Sequence, residues 1–168
     1  MRIRVINCPD KDFKPYIVDA VNFYSASLFS NRMLETDLNI KIKFNDTLTV
    51  YGYASIIGYN KSKKARKFLI ELHPDIGSRR ILETLAHEMV HVKQFAYNET
   101  NEKLSKWQGI KINPEQVDYF DHPWEIEAYG KEVGLFTKYA VHNQLWNVFS
   151  DIRNPDDPIE KSKINWKM

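Results

Sequence analysis

Cysteine is nearly missing from this chain of 168 residues. Cys8 is the only one, so a disulfide framework and a cysteine-rich zinc knuckle are both excluded. Beside Pro9, it reads as a small buried apolar residue rather than a reactive thiol. Long apolar runs are also missing. The opening "MRIRVINC" alternates polar and apolar residues as a strand does, and no stretch is long enough for a signal-peptide core or a bilayer span. The expectation is a soluble cytoplasmic protein without membrane contact. A strong charge of one sign is lacking too: the net charge is +2, so composition alone does not mark a nucleic-acid binder.

What is present is enough to fold. Hydrophobic residues make up 43% of the chain and aromatics 13%, which excludes a disordered polymer. The length fits one domain over residues 1–168 with its own core.

The patterning predicts an α+β fold. "RIRVI" reads as a strand. In "DFKPYIVDAVNFYSASLFSN", Phe13, Tyr16, Ile17, Ala20, Val21, Tyr24 and Leu28 share one helical face. Asp12 is the expected cap, and Pro15 fits only a first turn. "LNIKIKFN" alternates apolar residues with lysine, the mark of a strand with one wet face. "YASIIGYN" and "KFLIELH" follow as a hairpin in which Gly52 and Gly58 mark bends or bulges. A second helix is predicted from a Ser78 cap to about Tyr97, with Asn98 at its end. The connection up to residue 122 is long enough for a functional loop or short local strands. "PWEIEAYGKEVGLFTKYAVHNQLWNVF" reads as a last helix with Pro123 in its first turn, and residues 151–168 as an extended tail.

The chemistry concentrates in "ETLAHEMVHVKQ", residues 83–94. At about 100° per residue, His87 and His91 lie about 40° apart, one turn from each other. Ile81, Leu82, Leu85, Ala86, Met89, Val92 and Ala96 complete an apolar face without them, so the histidines project off it with Thr84 and Glu88. Two imidazoles so placed can ligate one metal ion. Glu88 flanks that ion and can take a proton from water. A catalytic zinc needs a third protein ligand. No histidine follows within a few residues, since the chain continues "VKQFAYNETNE". The open choices are His122, Asp118, Asp121, Glu125 and Glu127.

Residues 67–97 and 123–136 resemble the small gluzincin metallopeptidases, including SprT-like and minigluzincin-type proteins often found in phages and bacteria. The resemblance rests on "KFLIELHP…ILETLAHEMVHVKQ" and "PWEIEAYG". It implies a zincin-like fold with a metal cleft between an upper part, a helix on a small mixed sheet, and a lower helical part. It implies one zinc per chain, held by His87, His91 and a glutamate of a later helix. That glutamate is Glu125, followed three residues on by the small Ala128. Glu127 points about 160° away on the same helix. It implies peptide hydrolysis with Glu88 as general base, a protein or peptide substrate, and the cytoplasm, or the host cytoplasm for a phage protein. Many of these families carry an aspartate after the small residue, to support a zinc histidine. Tyr129 stands there, so another group must orient the imidazole.

Other residues are open to two readings. The basic run "KSKKARK", residues 61–67, is either a solvated turn shielding a sheet edge or a phosphate-contacting patch of the kind a DNA-associated protease would use. Trp107 and Trp124 read as core or loop anchors rather than stacking platforms. Tyr119, His122 and Tyr129 are the candidates for stabilising an oxyanion. "YASIIG" is the expected edge strand, open to substrate by strand addition. A metal-stabilised module without turnover would carry the same residues.

Overall fold

The computed structural model describes residues 1–154. Strand β1 (Arg2–Ile6), helix α1 (Lys14–Leu28), a single helical turn α2 (Asn31–Leu34) and strands β2 (Asn39–Phe44), β3 (Gly52–Tyr59) and β4 (Ala65–Leu72) come first. Helix α3 (Ser78–Ala96), the two-residue strands β5 (Lys106–Trp107) and β6 (Ile110–Lys111), and helix α4 (Pro123–His142) follow. The four main strands form one mixed sheet in the order β1-β2-β4-β3. β1 and β4 run parallel to β2, and β3 pairs antiparallel to β4. The fold is α+β, with α1 against the sheet and α3 packed between the sheet and α4.

Alternation decides which sheet face is dry. Val5, Ile40, Ile42, Phe44, Ala54, Phe68, Ile70 and Leu72 are buried, while the residues between them along β1, β2 and β4 are mostly wet. α1 meets the dry face with Ile17, Ala20, Val21 and Tyr24, and the Tyr24 hydroxyl donates to the Leu82 carbonyl of α3 at 3.1 Å. The Tyr139 hydroxyl likewise ties α4 to the Tyr16 carbonyl of α1 at 3.0 Å. Ile81, Leu82, Leu85, Ala86, Met89, Val92 and Ala96 are all buried. Each large apolar side chain among them contributes about 1.5–3 kcal/mol, so α3 is anchored without its histidines.

Several boundaries differ from the sequence reading. α1 starts at Lys14, two residues after Asp12. Asp12 donates its backbone N–H to Asp10 at 2.8 Å and caps nothing. Ser78 lies inside α3, whose cap position is Gly77 at φ +77, and the free Arg79 N–H is taken by the Asp151 carboxylate at 2.9 Å. α4 stops at His142 instead of Phe149, because Gln144 turns the chain with φ +49. Ile152 is buried and Asp151 caps α3, so the chain is docked here rather than extended. The remainder of the expected tail, 155–168, lies outside the described residues. Cys8 is half-buried, with its thiol turned to the Asp10 carbonyl.

Arg66 is also not where the basic run placed it. It is buried, and its guanidinium donates to the carbonyl of Ala96 at the end of α3 at 2.9 Å. Lys61, Lys63 and Lys64 remain exposed in the turn. Two expectations match the fold. β4 is central and β3 is an edge strand, and its register slips around Gly58 as a bulge does. Among the described residues no helix is long and apolar enough to cross a membrane.

Candidate metal centre

α3 presents His87, Glu88 and His91 to a cleft of about 760 Å³ bounded by β3 on one side and α4 on the other. They lie off the apolar stripe, as the helical wheel requires, but not on an open surface. His87, Glu88 and Thr84 are each under a tenth exposed, because β3 and α4 close over that side. α4 brings Glu125, also buried, from its first turn. His87, His91 and Glu125 each offer a ligand atom, and these atoms lie within 4.8 Å of one another.

The spacing is tighter than that bound suggests. The two Nε2 atoms are 3.1 Å apart, and the Glu125 oxygens stand 3.3 Å from His87 Nε2 and 3.5 Å from His91 Nε2. Ligand atoms about 2.0–2.1 Å from one tetrahedral ion lie about 3.3–3.4 Å from each other. The group fits such an ion.

Hydrogen bonding on the far side of each ring fixes the chemistry of the near side. His87 Nδ1 sits 2.8 Å from the Glu132 carboxylate, which can only accept, so Nδ1 carries the proton. His91 Nδ1 sits 2.9 Å from Gln94 Oε1. The Gln94 amide is oriented without ambiguity, since its nitrogen donates to the Trp124 carbonyl at 2.9 Å and to Glu127 at 3.0 Å. His91 Nδ1 must therefore donate as well. In neutral imidazoles both Nε2 atoms are then bare lone pairs aimed at one point, together with a carboxylate. One Glu125 oxygen is buried without any hydrogen-bond partner among the described residues. Such a set repels itself unless a cation stands among its members.

The protonation equilibria report the same demand. Burial works to lower the His87 pKa, but the carboxylates of Glu125, Glu132 and Glu88 outweigh it and hold it up, at about 9. His91 is raised against burial by Glu125 and Glu88. Burial would raise Glu125, yet the two imidazoles and Tyr119 hold it down to about 2. The pocket keeps its carboxylate ionised and attracts positive charge.

Glu88 is set apart from this group. Burial raises its pKa, and the two histidines and the nearby Ala54 backbone in β3 oppose that. The space for it comes from Gly52. A Cβ there would lie 2.5 Å from Thr84 Cγ2 and 3.0 Å from Glu88 Oε1, so any side chain at this position would displace Thr84 and crowd Glu88.

The fold separates the remaining candidates. Glu127 turns away from the histidines to pair with Lys93 at 2.8 Å and with Gln94. His122 is stacked on Trp124 with ring centroids 4.6 Å apart and bonded to the Pro114 carbonyl, so it serves the loop. Asp118 and Asp121 are not members of the cluster. Tyr119 and Tyr129 both line the cleft on the α4 side, Tyr129 with its ring edge-on to His87 at 4.7 Å. Trp124 is fully buried, an anchor as expected.

Sequence reasoning missed Glu132 and Gln94. A signal for Glu132 existed, because it follows Glu125 by seven residues, two helical turns, and so shares its face. Gln94 follows His91 by three residues on α3, but nothing in the sequence orients its amide. Replacing Gln94 by leucine strands the His91 Nδ1–H, and we expect metal affinity to fall about 10–100-fold. Competition with a coloured chelator measures this, and an unchanged affinity would mean that Gln94 does not orient His91.

The class this geometry defines is an α+β protein with a buried His–His–Glu group, consistent with a metal site of the HExxH type. Comparison with protein-family models, curated proteins and solved structures returns no match.

Proposed function

We propose that this protein is a zinc-dependent metallopeptidase. The observation that carries the reading is the convergence of His87 Nε2, His91 Nε2 and Glu125 at tetrahedral spacing, with Glu88 next in sequence to the first histidine and in the same cleft. Two nitrogens and one carboxylate oxygen suit zinc and leave a position for water. The resemblance of "AHEMVH" and "PWEIEAYG" to gluzincin motifs supports the same assignment.

A zinc ion bound here supplies a Lewis acid for a scissile carbonyl and makes water acidic enough to lose a proton near neutral pH. Glu88 accepts that proton. The same carboxyl can then give the proton back, here to the leaving amine nitrogen. Glu132 and Gln94 keep the imidazoles oriented. The hydroxyl of Tyr119 or Tyr129 donates to the developing oxyanion. Burial and the Glu125 charge raise the pKa of Tyr119, so its hydroxyl keeps the proton it would donate. An extended substrate segment lies along the free edge of β3, whose residues Gly52 and Tyr53 border the cleft with Tyr51 just before them.

The test is zinc content beside cleavage. Purified protein should hold about one zinc per chain and cut an unfolded protein or a peptide library, and a chelator should stop it. His87→Ala and His91→Ala should hold neither zinc nor activity. Full zinc in either variant would remove the site. Zinc held with no cleavage of any unfolded substrate would instead fit a metal-stabilised binding module.

A further inference from the structure

The dry face of the sheet is covered by helices, and the wet face holds a charge pattern that the net charge conceals. Strand register places the side chains of that face in three rows. Arg2, Asn39 and Lys67 form one, Arg4, Lys41, Leu69 and Ser55 the next, and Ile6, Lys43, Glu71 and Tyr53 the third. All of them are exposed or half-buried. Five cations share this face with a single carboxylate, Glu71, which Lys43 and Asn45 already engage at 2.8 and 3.1 Å. Arg2, Arg4, Lys41 and Lys67 form no ion pair among the described residues. Lys61, Lys63 and Lys64 extend the positive field from the β3–β4 turn. Four glutamates, Glu88, Glu102, Glu125 and Glu132, line the cleft instead.

We infer that the open face of this sheet binds single-stranded nucleic acid. Cations on adjacent strands are about 4.8 Å apart and those two residues along a strand about 6.6 Å apart, so the array on β1, β2 and β4 follows a line of phosphates over about 10 Å of sheet width. Like charges at this density repel one another unless a polyanion neutralises them, which binds by releasing the polyanion's counterions. Tyr53 lies on the same face and offers an unpaired base a ring to stack on, which a duplex could not use. The inference stands on register and charge, and does not depend on the metal centre.

The experiment uses the full chain and a fluorescent oligothymidylate of about 15 nucleotides. Anisotropy at low salt should show binding that weakens with salt, with a log–log slope of about −3 if about four phosphates are held. Arg4→Gln with Lys41→Gln neutralises two register partners outside the cleft while keeping polar side chains there. This double variant should bind on the order of tenfold more weakly, and its slope should be shallower by about 1.4. Circular dichroism checks its fold. Absence of binding at low salt, or a folded double variant with unchanged affinity and slope, overturns the inference. Tighter binding to a duplex of the same length, or binding to phosphatidylserine vesicles without binding to the oligonucleotide, also overturns it.

Discussion

Glu88→Gln, loaded with zinc, is expected to fold and keep its metal while losing peptide hydrolysis. Glutamine has the size of glutamate and fits the same space beside Gly52, so the helix and both imidazoles stay in place. What disappears is basicity: a neutral amide cannot take a proton from water. Removing a general base costs on the order of a hundredfold to ten-thousandfold in rate, and more where the same group later returns the proton. Cleavage of an unfolded protein by wild type and variant, each with measured zinc content and a chelator control, decides the point. Equal activity in the zinc-loaded variant would overturn the role given to Glu88. A variant that loses zinc would show that Glu88 supports the metal site and not only the proton transfer.

How much of this was legible before the structure depends on the kind of residue. Strict alternation in "NIKIKF" fixed both a strand and its wet face, because a period of two leaves no other solution. The apolar stripe of α3 likewise placed His87, Glu88 and His91 on a shared side away from the core. The wheel could not say what would cover that side. β3 and α4 do, and this turns an exposed pair of histidines into a buried cluster. Helix ends were less legible. Asp12 and Ser78 have side chains suited to capping, but α1 begins after Phe13, which makes no side-chain cap bond, and α3 begins after Gly77 with Asp151 taking the Arg79 N–H. The Asp151 bond spans 72 residues of sequence, so no local rule could find it. Arg66 misled for a related reason: within a basic run it looks solvated, yet its strand position points inward to the end of α3.

The last expected result separates two carboxylates two positions apart. Glu125→Ala should lose zinc, and Glu127→Ala should keep it. Glu125 lies 3.3 and 3.5 Å from the two imidazole nitrogens, and one of its buried oxygens has no other partner, so removing it takes a ligand from a set of three. The loss should exceed the 10–100-fold typical of removing an outer hydrogen-bond partner, which is about the effect expected for Gln94→Leu. Glu127 belongs to a different network. It takes Lys93 at 2.8 Å and the Gln94 amide at 3.0 Å, and after its removal Lys93 keeps Glu99 at 2.7 Å while Gln94 keeps the Trp124 carbonyl. Its substitution should therefore cost stability, about 1–3 kcal/mol for groups left short of a partner, rather than metal. Thermal unfolding of the metal-free proteins and zinc titration of the folded ones separate the two effects. Glu125→Gln, which keeps the volume of the buried side chain, guards against misreading a folding defect as a lost ligand. Zinc retained at wild-type affinity in both Glu125 variants, or lost in Glu127→Ala while the protein stays folded, would take the third ligand away from Glu125.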